Sequence, residues 1–163
     1  MEYSKALKIA IRVKELLAPH CERIEIAGSI RRMKPEVKDI EIVAIPKQYD
    51  TGLFQSGIAT VINKWQKVKG ELPCKYTQRL LPEGIKLDLF FAEHGNWGMI
   101  YSIRTGSAEY SHKVLATGWV KKGYKSENGY LYANGKPILI REEQDLFDRI
   151  GLKYCDPQLR TMK

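Results

Sequence analysis

The residue pattern predicts an α+β protein built in two parts. Three observations carry that reading: a helical stripe of apolar residues near the start, short alternating stretches set off by turn residues, and a break at Gly95, Asn96 and Gly98. The break divides the chain into a first part over residues 1–94 and a second over residues 95–163.

Residues 4–18 repeat apolar positions at Ala6, Ala10, Val13 and Leu17, with Leu7, Ile9 and Leu16 widening the stripe. That is helical spacing, and Pro19 follows where such a helix must stop. Arg23–Ala27 alternates with period two, a short strand running into Gly28-Ser29. A second strand spans Asp39–Ile45, with Ile40, Ile42 and Ala44 on one face, Asp39, Glu41 and Val43 on the other, and Pro46 ending it. Residues 50–56, with Asp50, Thr51, Gly52 and Ser56, have loop composition. Ile58, Val61, Ile62, Trp65 and Val68 predict a helix over residues 57–68, with Gly70 beyond its end. Lys75–Leu81 and Ile85–Phe91 flank Pro82-Glu83-Gly84 as a hairpin.

After the break, Ser107 is placed to cap a helix over about 108–122 that Gly123 stops. Tyr130–Ala133 and Lys136–Ile140 flank Asn134-Gly135, the dipeptide of two-residue hairpin turns, and Pro137 marks an edge strand. A last helix fits residues 142–150, with Gly151 after it.

Composition excludes several classes. A hydrophobic content of 44% in 163 residues is that of a globular chain, not a disordered one. No apolar run approaches the roughly 20 residues needed to span a bilayer, and Met1-Glu2-Tyr3-Ser4-Lys5 lacks a signal-peptide core, so an intracellular protein is expected. Cys21, Cys74 and Cys155 are far apart, odd in number and form no C-x-x-C pair, which reads as reduced thiols. His20, His94 and His112 share no metal-ligand spacing and read as loop, edge or helix-surface residues. The net charge of +8, from 27 Lys and Arg against 19 Asp and Glu, points to an anionic partner, although solubility alone explains it equally.

The acidic minority is more informative. Asp39 and Glu41 lie two apart on one strand, so both point to one face with Cα atoms roughly 6–7 Å apart. Asp88 sits between Leu87 and Leu89, whose side chains turn to the core. If the two strands are neighbours, three carboxylates share a sheet face, the donor type that suits Mg²⁺. A lone D-x-E is more often just the wet face of a strand. Here Gly28-Ser29 ends the preceding strand and Arg31-Arg32 follows, supplying backbone N–H groups, a hydroxyl and a guanidinium fork for phosphate.

Gly28-Ser29-Ile30-Arg31-Arg32, Asp39-Ile40-Glu41 and Lys86-Leu87-Asp88-Leu89 together resemble the G-S…D-x-D/E…D pattern of the polymerase-beta nucleotidyltransferase superfamily. Arg104-Thr105-Gly106-Ser107 looks like the F-T-G-S segment of family X DNA polymerases. Asp145-Leu146-Phe147 and the run from Leu152 to Arg160 look like that family's C-terminal signature. The resemblance covers nearly the whole chain. It implies an α+β nucleotidyltransferase palm, a mixed sheet with helices, over residues 1–94, and a small C-terminal thumb over 95–163.

The resemblance also implies roles. Asp39 and Glu41 would ligate two Mg²⁺ ions, or Mn²⁺ in their place. Asp88 would bind the catalytic ion beside the attacking 3′-hydroxyl. Gly28, Ser29 and Arg32 would hold the nucleotide's phosphates. Thr105, Gly106 and Ser107 would form the floor under its sugar and base, where the family often has a cis Gly–Ser peptide. Three departures stand out: Glu41 where the family usually has Asp, Ile103-Arg104 in place of an aromatic pair that helps exclude ribonucleotides, and no lyase or fingers segment with helix-hairpin-helix motifs. This is the pattern of compact viral members.

Lys121, Lys122 and Lys125, beside Tyr124, are candidate DNA-phosphate contacts along with Arg104; favourable charge at a helix C-terminus is the competing reading for the lysines. Trp65, Trp97 and Trp119 read as packing residues. The expected function is therefore a monomeric, DNA-directed polymerase adding dNMP from dNTP to a primer in gapped or nicked DNA. The alternatives are template-independent nucleotidyl transfer to RNA, a protein or a small molecule, and a non-catalytic nucleic-acid-binding module.

Overall fold

A computed structural model of the chain describes residues 1–47 and 57–161. The loop read over residues 50–56 lies outside them. The chain divides into two compact units, Met1–Phe91 and Ala92–Lys163, each with its own hydrophobic cluster. It is an α+β protein, and the first unit carries a mixed sheet. Among the described residues no helix is long and apolar enough to cross a membrane.

The first unit opens with α1 (Tyr3–Leu17), which buries Ala6, Ile9, Ala10, Val13 and Leu17, the stripe its spacing predicts. A 3-10 turn over Ala18–His20 ends it at Pro19. Then come β1 (Cys21–Ile26), the single-turn α2 (Gly28–Arg31), β2 (Asp39–Pro46), α3 (Gly57–Ile62), β3 (Gln66–Lys69), β4 (Tyr76–Leu80) and β5 (Lys86–Phe91). The strands lie in the order β1-β2-β5-β4-β3. β2 pairs with β5 in parallel, while β1 with β2 and β4 with β5 are antiparallel, so the hairpin at Pro82-Glu83-Gly84 forms as expected. Because strand side chains alternate, one sheet face gathers Ile24, Ile40, Ile42, Ala44, Leu87 and Leu89 into a cluster with Ile58, Ile62 and the α1 stripe. The acidic residues are left on the other face.

The helix predicted over residues 57–68 is shorter than expected. α3 ends at Ile62, and Val68, placed on its apolar stripe, is 40% exposed on β3. Hydrogen bonding from β4 decides this. Buried Arg79 donates to the Trp65 and Gly70 carbonyls at 3.5 and 3.4 Å, and the Thr77 hydroxyl donates to the Lys69 and Gly70 carbonyls at 2.9 and 2.8 Å. Gln66 and Lys67 pair with Leu80 and Arg79 of β4, so strand pairing overrides the local period.

The second unit contains α4 (Trp97–Thr105), α5 (Ala108–Tyr110) continuing through a π-helical stretch (Ser111–Ala116) into α6 (Thr117–Lys121), and a sheet of β6 (Lys125–Glu127), β7 (Tyr130–Ala133) and β8 (Lys136–Ile138), closed by α7 (Glu143–Ile150). Ser107 caps α5 as expected, accepting from the Tyr110 N–H at 3.1 Å. Asn134 and Gly135 both take positive φ between β7 and β8, and β8, with Pro137, is an edge strand. Gly151 ends α7 in the left-handed conformation.

Two elements lie where no regular structure is predicted. α4 begins inside the expected break: a Cβ at Gly98 would stand 2.1 Å from the Glu142 carbonyl oxygen, so this glycine permits close packing within a helix and does not interrupt the fold. β6 is exposed at every residue and has no apolar alternation to announce it. Met99, Tyr110, Leu115, Trp119, Leu131, Ile138, Ile140, Leu146, Phe147 and Ile150 form the unit's core.

A buried ion pair ties the C-terminal segment to that core. The Arg160 guanidinium, fully buried, donates from Nη1 to Glu143 Oε2 at 2.5 Å and from Nε to the Cys155 carbonyl at 2.8 Å, and it lies over the Phe147 and Tyr154 rings. Removing one partner strands a charge in the core. Arg160→Met is expected to lower the unfolding free energy by about 3–5 kcal/mol. Urea denaturation of Arg160→Met, Glu143→Gln and the double variant checks it: the double variant should lose clearly less than the two single losses combined.

Candidate active site

The parallel register of β2 and β5 pairs Glu41 with Asp88 and Asp39 with Lys86. Residues paired across strands point to the same face, so Asp39, Glu41 and Asp88 share the face opposite the core. Asp88 is only 7% exposed. Its Oδ1 accepts from the Tyr76 hydroxyl at 2.6 Å and from the Gln78 side-chain amide at 2.8 Å. Burial raises the Asp39 pKa above the ordinary carboxylate value, and the charge of Asp88 adds to the rise against opposition from Lys86 and Lys38.

Beside the carboxylates stands the Gly28-Ser29 segment, folded as the single turn α2. The Ala27 N–H donates to the Glu41 carbonyl at 2.8 Å, which anchors the start of this turn to β2. Gly28 has φ +62°, and a Cβ there would come within 1.8 Å of Glu41 Oε2. The glycine suits the backbone conformation, and the Glu41 carboxylate lies in the space a side chain there would take. Arg32 closes the group: burial lowers its pKa, and the charge of Glu41 opposes that shift. Gly28, Arg32, Asp39, Glu41 and Asp88 are therefore gathered at one place in the first unit, with Ser29 on the same turn.

The remaining candidates belong to the second unit. Arg104 and Thr105 end α4, Thr105 being fully buried and Arg104 exposed. Gly106 and Ser107 link α4 to α5, with the Ser107 N–H donating to the Arg160 carbonyl at 3.0 Å. Among the described residues the cis peptide is at Leu72–Pro73, so the Gly106–Ser107 peptide is trans, contrary to the expectation from the resemblance. Extended φ and ψ at both residues accommodate the turn without it. Lys121, Lys122 and Lys125 are exposed around the C-terminus of α6. The Lys122 Nζ lies near the Gly151 backbone, where a Cβ would be 3.3 Å away, and so sits at the C-terminus of α7.

No three His, Cys, Asp or Glu side chains among the described residues form a ready metal cluster. The donor chemistry nevertheless fits a hard dication: three carboxylates share one face, with no soft ligand among them.

Tyr76 and Gln78 are the site residues that motif reading passes over. Their signal is present in the sequence: they alternate with Thr77 and Arg79 on the predicted hairpin strand, which puts them on the Asp88 face once that hairpin is paired. Neither the protein-family models nor the curated proteins yield a match to this chain.

Two outcomes follow from this geometry. Gly28→Ala should cost about 1–2 kcal/mol from the left-handed backbone alone, measured by thermal or urea unfolding. For Asp39, a raised folded-state pKa contributes stability present below the ordinary carboxylate pKa and lost as pH rises through the folded value. Asp39→Asn should therefore melt above the parent protein at pH 7, with the gap closing as the pH falls through the raised pKa. A gap that widens on acidification overturns the assignment.

Proposed function

We propose that the protein is a nucleotidyltransferase of the family X DNA polymerase type, transferring dNMP from dNTP to a primer 3′-hydroxyl. One observation carries the reading most: the in-register pairing of Glu41 with Asp88 beside a Gly28-Ser29 turn whose glycine is packed on Glu41. Acidic residues alone make a wet strand face. Acidic residues abutting a turn with a hydroxyl and a partly buried guanidinium make a place where a polyphosphate and its counter-ions can be held.

On this reading Asp39, Glu41 and Asp88 would hold the divalent ions, Mg²⁺ or Mn²⁺. Such ions, when bound, supply charge neutralisation and Lewis-acid polarisation of the phosphoryl group. Ser29 and Arg32 bind the phosphate oxygens, the guanidinium contributing a positive charge and a planar fork of donors. Asp88 receives and orients the attacking hydroxyl; its two hydrogen-bond donors keep its carboxylate in a single position. Arg104, Lys121, Lys122 and Lys125 contact the nucleic-acid backbone. Because such contacts release counter-ions, activity falls with rising salt.

The exposed Arg104, with half-buried Ile103 before it where the family has aromatics, favours a second reading: transfer with relaxed sugar or template demands. A single experiment addresses both. Extension of templated and single-stranded primers is measured with each dNTP and rNTP, using the parent protein and Asp88→Ala. The variant should lose at least about 10²–10³-fold in rate, and undiminished extension would reject the catalytic assignment. Dependence on template identity selects the first reading, and indifference to it the second.

A further inference from the structure

Asp88 is the least exposed of the three carboxylates, and a nearly buried carboxylate needs partners. An arginine or lysine is the common choice, at the cost of cancelling the charge. Here the donors to Asp88 Oδ1 are neutral. β4 runs antiparallel to β5 with Gln78 opposite Asp88 and Tyr76 opposite Phe90. The Tyr76 ring stacks on Phe90 with centroids 4.9 Å apart and planes 20° apart, which fixes where its hydroxyl can reach. The hydroxyl and the Gln78 amide arrive at the same oxygen, Oδ1, at 2.6 and 2.8 Å.

Two donors converging on one oxygen define both the side-chain torsion and the plane of the carboxylate. They engage Oδ1 and leave Oδ2 out of their geometry, and they bring no positive charge to compete with a cation. We infer that Tyr76 and Gln78 are positioning residues: a neutral two-point clamp that holds Asp88 in one orientation with its full negative charge available to a divalent ion and to the attacking hydroxyl. The inference rests on the nucleotidyltransferase reading above and extends it to two residues that its motifs do not include. Both lie on β4, and the stacking of Tyr76 on Phe90 places its hydroxyl through a rigid ring instead of a long flexible chain, so orientation costs little entropy.

The test compares the full chain with Tyr76→Phe, which keeps the stacked ring and deletes only the hydroxyl, and Gln78→Leu, which keeps the bulk and deletes the amide. Two quantities are read: Mn²⁺ binding to the nucleotide-free protein, from the electron paramagnetic resonance signal of unbound Mn²⁺, and kcat and KM for dNTP in primer extension. Loss of such supporting hydrogen bonds typically costs 10–100-fold in metal affinity or activity. Each variant is expected to weaken Mn²⁺ binding and to lower kcat by about tenfold, leaving KM for dNTP within about twofold because other residues hold the phosphates. Thermal melting of each variant shows that it is folded; a general packing defect would shift KM and kcat together. Variants that match the parent in Mn²⁺ affinity and kcat overturn this inference alone. A parent protein that neither binds Mn²⁺ nor incorporates nucleotide overturns the nucleotidyltransferase reading, and this inference with it.

Discussion

The parallel pairing of β2 with β5 is the constraint on which the first unit depends. Strand side chains alternate with period two, so the register that puts Ile40, Ile42, Leu87 and Leu89 into the core necessarily puts Asp39, Glu41 and Asp88 on the opposite face. A slip by one residue would bury the three carboxylates among α1 and α3 and expose the aliphatic residues. The hydrophobic effect that stabilises the unit therefore also enforces the arrangement of its acidic residues. Parallel strands cannot be joined by a tight turn; here the intervening chain includes α3 and the two further strands β3 and β4. The last of these, β4, returns beside β5 and brings Tyr76 and Gln78 to Asp88.

Gly28 shows the same economy on a smaller scale. A left-handed residue between β1 and β2 lets the chain turn directly onto Glu41, and the missing side chain is what allows the carboxylate to rest there. The positions of the turn, Arg32 and the acidic face are set by one close approach. In the second unit the comparable anchor is the Glu143–Arg160 pair. Its arginine uses its side chain on Glu143 and Cys155 and its own carbonyl on Ser107, so the segment after α7 braces the cap of α5. A guanidinium suits this position because its planar fork serves several acceptors while its faces pack on Phe147 and Tyr154.

Legibility followed the strength of the local signal. α1, the 108–121 helix and α7 combine an apolar stripe with a stop or cap residue, and Asn134-Gly135 names its own turn, so local and tertiary preferences agree there. The 57–68 segment carries a helical period as far as Val68, yet the chain leaves the helix after Ile62 and pairs Gln66 and Lys67 with Leu80 and Arg79 of β4. Gly98 reads as an interruption because a sequence does not reveal the carbonyl of Glu142 packed against it. β6 is invisible for a simpler reason: a solvated edge strand has no buried face to pattern.

The candidate site divides in the same way. Residue order alone shows which types recur at which intervals: a D-x-E on a strand, a third carboxylate between two leucines, a Gly-Ser turn followed by arginines. Those intervals suffice to assign faces, because side-chain alternation is a property of the strand alone. It takes the folded chain to show that the two acidic strands are neighbours in register, that Glu41 rests on Gly28 near Arg32, and that Asp88 accepts from Tyr76 and Gln78. The physical reason is that pairing, burial and hydrogen bonding between residues far apart in sequence depend on which strands meet, and no local period encodes that choice.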